Sequence, residues 1–200
     1  MQIGIDFDNT IVSYDALFHK VAVEKNLVPP ATPVKKSEVR DYLRRIGRED
    51  AWTEMQGYVY GARMVEAEPY PGVRDFFTRM RARGVPLFIV SHKTRHPFLG
   101  PQYDLHSAAR EWLEKQNFFE TRGIGLPREN VFFELTKDKK FQRIASTGVT
   151  HFIDDLPEIL NAPAFPKTVN RILFDPHDLC GEEKELLRLK SWAEIAAHFS

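Results

Sequence analysis

Asp6-Phe7-Asp8-Asn9-Thr10 places two acids two residues apart, directly after a short apolar run from Ile3 to Ile5. Two carboxylates at the mouth of a strand have a fixed mutual geometry that two acids on a loose loop lack. Strand side chains alternate between faces, but Asp8-Asn9-Thr10 favours a turn. The chain is therefore leaving the strand, and both carboxyls can turn toward one opening. One can then serve as nucleophile or metal ligand while its neighbour handles protons.

Four further apolar runs read as buried strands: Val85 to Val90, Val131 to Phe133, Thr150 to Ile153 and Val169 to Phe174. Three of them end at polar residues able to do chemistry or close a loop, namely Ser91, Asp154 and Asp175. Helical patterns lie between the runs. Val73, Phe76, Phe77 and Met80 recur at helical spacing before Gly84, and Ala108, Ala109, Trp112 and Leu113 do so before Phe118. Near the end, Ser191 and Glu194 have capping-box spacing ahead of Ile195, Ala196 and Phe199. Strands alternating with helices predict an α/β fold, a parallel sheet covered by helices on both faces.

From about Ser13 to Glu68 the alternation stops and only helical periodicity is found. Tyr14, Leu17, Phe18 and Val21 fit one helix; Val39, Tyr42, Leu43 and Ile46 fit a second, ended by Gly47. Trp52, Met55, Val59 and Ala62 fit a third, weakened by Gly57 and Gly61. Residues 13–68 are thus expected to be a helical insertion, with 1–12 and 69–200 as the core. An insertion after the first strand is expected over the carboxyl ends of the strands, where open α/β sheets bind ligands; a helical hairpin packed on one sheet face is the plainer alternative.

The bulk numbers exclude several classes. Apolar residues at 42% fill a core, and 28% charged residues make an ordinary surface. Lys plus Arg equals Asp plus Glu at 28 each, so no net field recruits nucleic acid or an anionic membrane. Cys180 is the single cysteine, and no Cys/His cluster has zinc spacing. With no span-length apolar stretch and no signal-peptide pattern, a cytoplasmic protein is expected. Oligomeric state is not encoded legibly.

Phosphoryl transfer through a carboxylate needs a nucleophile, a proton donor for the leaving group, a divalent cation and donors for the equatorial oxygens. Asp6 is the nucleophile candidate and Asp8 the acid/base. Ser91 can offer its hydroxyl and N–H to a phosphoryl oxygen. One lysine among Lys137, Lys139 and Lys140 precedes the helix bearing Ile144; Lys140 best suits a helix start facing the sheet ends, with Lys137, one turn earlier, as its rival. Asp154 and Asp155 follow Phe152-Ile153 and can complete an oxygen shell for magnesium. Each piece alone is weak, since Asp-x-Asp recurs by chance, lysine runs usually face solvent, and Asp154-Asp155 can simply cap a helix from Pro157 to Leu160. Their order and strand-end placement join them.

That ordered set resembles the haloacid dehalogenase superfamily of phosphohydrolases, over the whole chain: DFDNT as first motif, IVS as second, the lysine as third and FIDD as fourth. The resemblance implies a Rossmann-like core with a small helical cap inserted after the first strand, and Mg²⁺ as cofactor. It implies that Asp6 forms an aspartyl-phosphate and that Asp8 is the acid/base residue whose backbone carbonyl is a metal ligand. Asp154 becomes the acidic magnesium ligand, with Asp155 beside it as ligand or support, and Glu158 falls where many members keep an acid. In the family's dehalogenases the residue at position 8 is not Asp, and in its ion-pumping ATPases it is Thr, so Asp8 favours a phosphatase or phosphomutase. The receiver-domain alternative fails, because its acidic pair comes first in the chain and here an acidic pair follows the lysine.

The expected function is a magnesium-dependent phosphatase for a small phosphorylated metabolite, with a sugar phosphate or glycan precursor slightly favoured. A 5′-nucleotidase of the same fold, or a non-catalytic phosphometabolite-binding protein, is the alternative. The cationic loop Ser91-His92-Lys93-Thr94-Arg95-His96 is either an aid to anion binding or an exposed connector. His19, Arg63 and Tyr14 are candidates to face the cleft, and Trp52, Trp112 and Trp192 are expected in the core.

Overall fold

The computed structural model describes residues 1–181 and 186–200; residues 182–185, inside the expected core, lie outside the described residues. The strands are β1 (Ile3–Ile5), β2 (Val12–Ser13), β3 (Glu68–Pro69), β4 (Leu87–His92), β5 (Val131–Glu134), β6 (His151–Asp154), β7 (Asn170–Phe174) and β8 (Leu187–Leu189). The helices are α1 (Asp15–Glu24), α2 (Lys36–Arg45), α3 (Glu49–Tyr60), α4 (Val73–Ala82), α5 (Leu105–Lys115), α6 (Lys137–Ser146), α7 (Pro157–Leu160) and α8 (Trp192–His198). By density of contacts the chain divides into two compact units.

The first unit comprises Met1–Val12, Pro69–Lys93 and Asn117–Ser200. Its six-stranded sheet has the order β5-β4-β1-β6-β7-β8, parallel throughout. Alternation sends consecutive residues to opposite faces. Phe152 and Leu173 join Phe141 and Ile144 of α6 and Ile159 and Leu160 of α7 on one side. On the other, Phe174 meets Trp192 of α8 at 5.7 Å between ring centroids, and Trp192 meets Phe76 of α4 at 5.1 Å. Each such buried side chain stabilises the fold by about 1.5–3 kcal/mol. The Phe152 ring crosses β1 at Gly4, where a Cβ would lie 2.5 Å from its Cδ2, so no larger residue fits there.

This is the Rossmann-like α/β architecture expected, with one strand more. Leu187–Leu189 has no continuous apolar run to announce it, being a three-residue edge strand that is half exposed. At α8, Ser191 Oγ accepts the Glu194 N–H at 3.2 Å, whereas the Glu194 carboxylate accepts from the Lys190 N–H at 2.7 Å.

The second unit comprises Ser13–Glu68 together with Thr94–Gln116. Sequence alone places the second of these segments in the core. Its apolar face is satisfied within the helical unit instead: Trp112 Nε1 donates to the Ala67 carbonyl at 2.8 Å, and Lys115 Nζ to that of Val65 at 3.1 Å. Gly57 and Gly61, which looked like weak points of α3, are close approaches. A Cβ on Gly57 would lie 2.6 Å from Pro97 Cβ, and one on Gly61 would lie 2.5 Å from Tyr103 Cβ. Phe18, Trp52, Tyr14 and Tyr60 form the aromatic centre of this unit. Tyr14 is buried there with its hydroxyl on Met64 Sδ, and Arg63 pairs with Glu24 and Glu66. Both are structural members of this unit.

Candidate functional site

Ile5 of β1 is paired on one side with Ile89 of β4 and on the other with Ile153 of β6. From β1 the sheet proceeds through β4 to β5, and from β6 through β7 to β8. The order therefore reverses between β1 and β6, and a crevice opens at the carboxyl ends of those two strands, where such sheets take ligands. Asp6 and Asp154 flank it. The Asp6 N–H donates to the Ile153 carbonyl at 2.8 Å, which ties the start of the acidic loop to β6.

Beyond Asp6 the chain folds back sharply. The Phe7 carbonyl accepts from the N–H groups of both Ile11 and Val12 at 3.1 Å, and Asn9 takes φ of 57°, a left-handed conformation that Asn tolerates well. Thr10 is buried, and its hydroxyl donates to Asp155 Oδ1 at 3.4 Å.

Lys140 lies in the first turn of α6, whose cap is Thr136, the acceptor of the Lys139 N–H. Its side chain is 2% exposed, and Nζ donates to Asp6 Oδ1 and to Asp154 Oδ2, each at 2.6 Å. Of the three lysines weighed, Lys140 is the one that reaches the acids. Lys137 pairs with Glu158 at 3.8 Å on the surface, both half exposed or more. Asp154 also accepts the Leu156 N–H at 3.0 Å, so it orders the turn into α7 as well as facing the lysine.

Asp6, Asp154 and Asp155 each offer an oxygen within 4.8 Å of the others. Three carboxylates, two of them buried, against one ammonium leave a formal surplus of two negative charges. Hard oxygen donors with that surplus fit a divalent cation of the magnesium or calcium kind. Without one, burial pushes the Asp6 carboxyl up to about 7, with Asp154 and Asp8 adding to the rise and Lys140 opposing it. Burial alone would pull the Lys140 amine down; Asp154 and Asp6 outweigh it and hold the amine above its ordinary range.

Asp8 stands apart from that cluster. Its carboxylate is held by Lys93, whose Nζ donates to Oδ1 at 2.9 Å and to Oδ2 at 2.8 Å. The two acids of the opening motif thus face different cations. By sequence Lys93 is only one member of a cationic loop. Arg95 and His96, its neighbours, serve their own loop through Asp104 and the Tyr103 carbonyl. Ser91 is buried inside β4, opposite Phe133, two residues past the register partner of Ile5. The strand runs on through His92, where sequence placed its end at Val90. Asp175, the other strand-end acid, closes a loop by accepting from the Leu179 and Cys180 N–H groups at 3.0 and 2.9 Å.

No protein-family profile matches this chain, and no curated protein does. Its fold is nevertheless one that solved structures share. A HAD-superfamily hydrolase from Ehrlichia chaffeensis superposes with a TM-score of 0.59 at 10% identity, covering 98% of this chain and 94% of that one. A phosphoserine phosphohydrolase-like protein from Francisella tularensis does so at 0.58 and 15%, covering 100% and 99%. A dehalogenase does so at 0.59 and 14%, covering 98% and 96%. The fold is that of the haloacid dehalogenase superfamily hydrolases.

Proposed function

We propose that this chain is a divalent-cation-dependent phosphatase that removes phosphate from a small metabolite through an aspartyl-phosphate on Asp6. The observation that carries the reading is the cluster of buried Asp6, Lys140 and Asp154 with half-buried Asp155 at the sheet's crevice, and a second, separately held acid two residues past the nucleophile. A dehalogenase shares the fold, so the choice of chemistry rests on these side chains. Displacing an alkoxide calls for an acid, and Asp8 provides one.

In this mechanism an Asp6 oxygen attacks phosphorus in line while Asp8 gives a proton to the leaving oxygen. Asp8 then takes a proton from the water that hydrolyses the aspartyl-phosphate. Lys140 holds negative charge between Asp6 and Asp154 throughout, and Ser91 orients the phosphoryl group from β4. Asp6, Asp154, Asp155 and the Asp8 backbone carbonyl would hold Mg²⁺, which when bound neutralises charge on the phosphoryl oxygens. With Asp6 only 5% exposed, the phosphoryl group has to arrive on a slender molecule, which favours a metabolite over a folded protein.

The test is turnover of a chromogenic phosphate ester with and without Mg²⁺ by the purified chain and by Asp6→Asn. Magnesium-dependent turnover lost in the variant is expected; full activity in Asp6→Asn would overturn the assignment, and no turnover by a folded wild type would favour a binding protein. A panel of sugar phosphates and 5′-nucleotides then assigns the substrate class.

A further inference from the structure

We infer that Lys93 is a positioning residue for the chemical step, holding the Asp8 carboxyl in the orientation from which it serves the leaving group. The inference rests on the Asp6 and Asp8 roles proposed above. A lysine directly past the end of a strand would ordinarily sit in solvent, yet this side chain is 3% exposed while that of Asp8 is 22% exposed. The Lys93 N–H donates to the Glu134 carbonyl at 2.8 Å, which fixes its backbone to the end of β5. Its ammonium lies 5.6 Å from the centre of the Phe7 ring, between the two acids in sequence. Burial of this kind removes the freedom of a four-carbon stem, so the ammonium reaches Asp8 already ordered. Glu134 is itself held, its carboxylate accepting from Arg143 Nε at 2.7 Å.

The two-oxygen grip has a use in each half of the reaction. When Asp8 carries the proton, one oxygen accepts from Lys93 and the other presents its O–H. That proton passes to the leaving oxygen as the P–O bond breaks and the Asp6–phosphorus bond forms. Asp8 is then a carboxylate with both oxygens on Lys93, the arrangement seen in the structure, and is placed to accept a proton from water. In this scheme Lys93 acts through the Asp8 carboxylate, while Lys140 serves Asp6 and Asp154.

The experiment compares wild type, Lys93→Met, Asp8→Asn and the double variant on aryl and alkyl phosphates of graded leaving-group basicity. The quantity read is kcat/KM, which reports steps up to aspartyl-phosphate formation. Since general acid catalysis is worth about 10²–10⁴-fold, Lys93→Met is expected to lose about 10²-fold on alkyl phosphates and only a few-fold on 2,4-dinitrophenyl phosphate, whose leaving group needs no proton. The double variant is expected to fall no lower than Asp8→Asn. An equal loss on every ester, or a further loss in the double variant, would overturn the inference while leaving the Asp6 chemistry standing. If Lys93→Met does not fold, the double variant, in which neither charge remains, still decides by comparison with Asp8→Asn. Absence of any turnover by the wild type overturns both readings.

Discussion

Replacing Lys140 with methionine keeps most of the stem and removes the one ammonium shared by Asp6 and Asp154. Both acids are essentially buried, at 5% and 0% exposure, so the charge left behind has no solvent to turn to. Removing one partner of a buried ion pair costs about 3–5 kcal/mol. For a chain of this size that is a fall in Tm of about 6–20 °C. The loss has a pH signature. In the wild type the Asp6 carboxyl is raised from 3.8 to about 7, and Lys140 is the leading influence holding it down. Without Lys140 it rises further. At pH 6 Asp6 is mostly neutral in wild type and variant alike, so little of the Asp6–Lys140 attraction is lost, whereas at pH 8 the wild type keeps an ionised Asp6 against its ammonium and the variant has no such partner. Lys140→Met should therefore be more destabilised at pH 8 than at pH 6 when metal is chelated. Added Mg²⁺ at a hundred times its dissociation constant should restore about 2.7 kcal/mol. Scanning calorimetry in chelator at the two pH values measures this. A melting point within 2 °C of wild type at pH 8, roughly the shift of half to one kcal/mol, would refute the shared-ammonium account, and so would a loss equal at both pH values.

The same raised carboxyl links metal binding to pH. Below about 7 Asp6 is mostly protonated in the metal-free chain, so a cation must displace that proton, and Mg²⁺ affinity should fall about tenfold from pH 6 to pH 5 and level off above 8. Titration calorimetry in buffers of different ionisation heat reads the proton released; a dissociation constant flat across that range contradicts it. Asp155→Asn should weaken Mg²⁺ binding about tenfold or more, while Glu158→Gln, at a surface position paired with Lys137, should change it less than about twofold. Gly57→Ala forces a methyl against Pro97 and should destabilise the helical unit by about 1–3 kcal/mol. Its Mg²⁺ affinity, read by the same titration, should match the wild type.

Much of the first unit was legible because buried parallel strands are continuous apolar runs. Val131–Glu134, His151–Asp154 and Asn170–Phe174 fall within one residue of the runs that announced them. Asp6, Lys140 and Asp154 were readable for a related reason: strand ends and helix starts bring residues distant in the chain to one edge of the sheet. Three features depended on partners no local pattern reveals. The face of α5 bearing Ala109 and Trp112 fits a sheet or a helical unit equally, and only the Ala67 carbonyl shows which one it serves. β4 outruns its apolar residues because β5 is there to pair Ser91 and His92. Lys93 sits in a run of polar residues, and the groups that hold it, the Asp8 carboxylate and the Glu134 carbonyl, lie on two other segments.

That last placement explains how four acids can crowd one sheet end. If all four faced a single lysine and a single cation, the site would carry surplus charge in a medium where surplus charge is expensive. The chain divides them instead. Lys93 takes Asp8, matching one charge with one, while Lys140 sits between Asp6 and Asp154 and leaves that cluster short by the charge a divalent cation brings. Two acids only two residues apart are separated in this way into a metal-facing nucleophile and an acid/base held outside the cation's cluster. The tight turn at Asn9 and the early end of β1 make the separation possible, because an extended Asp6-Phe7-Asp8 would send both carboxyls to one face of the sheet.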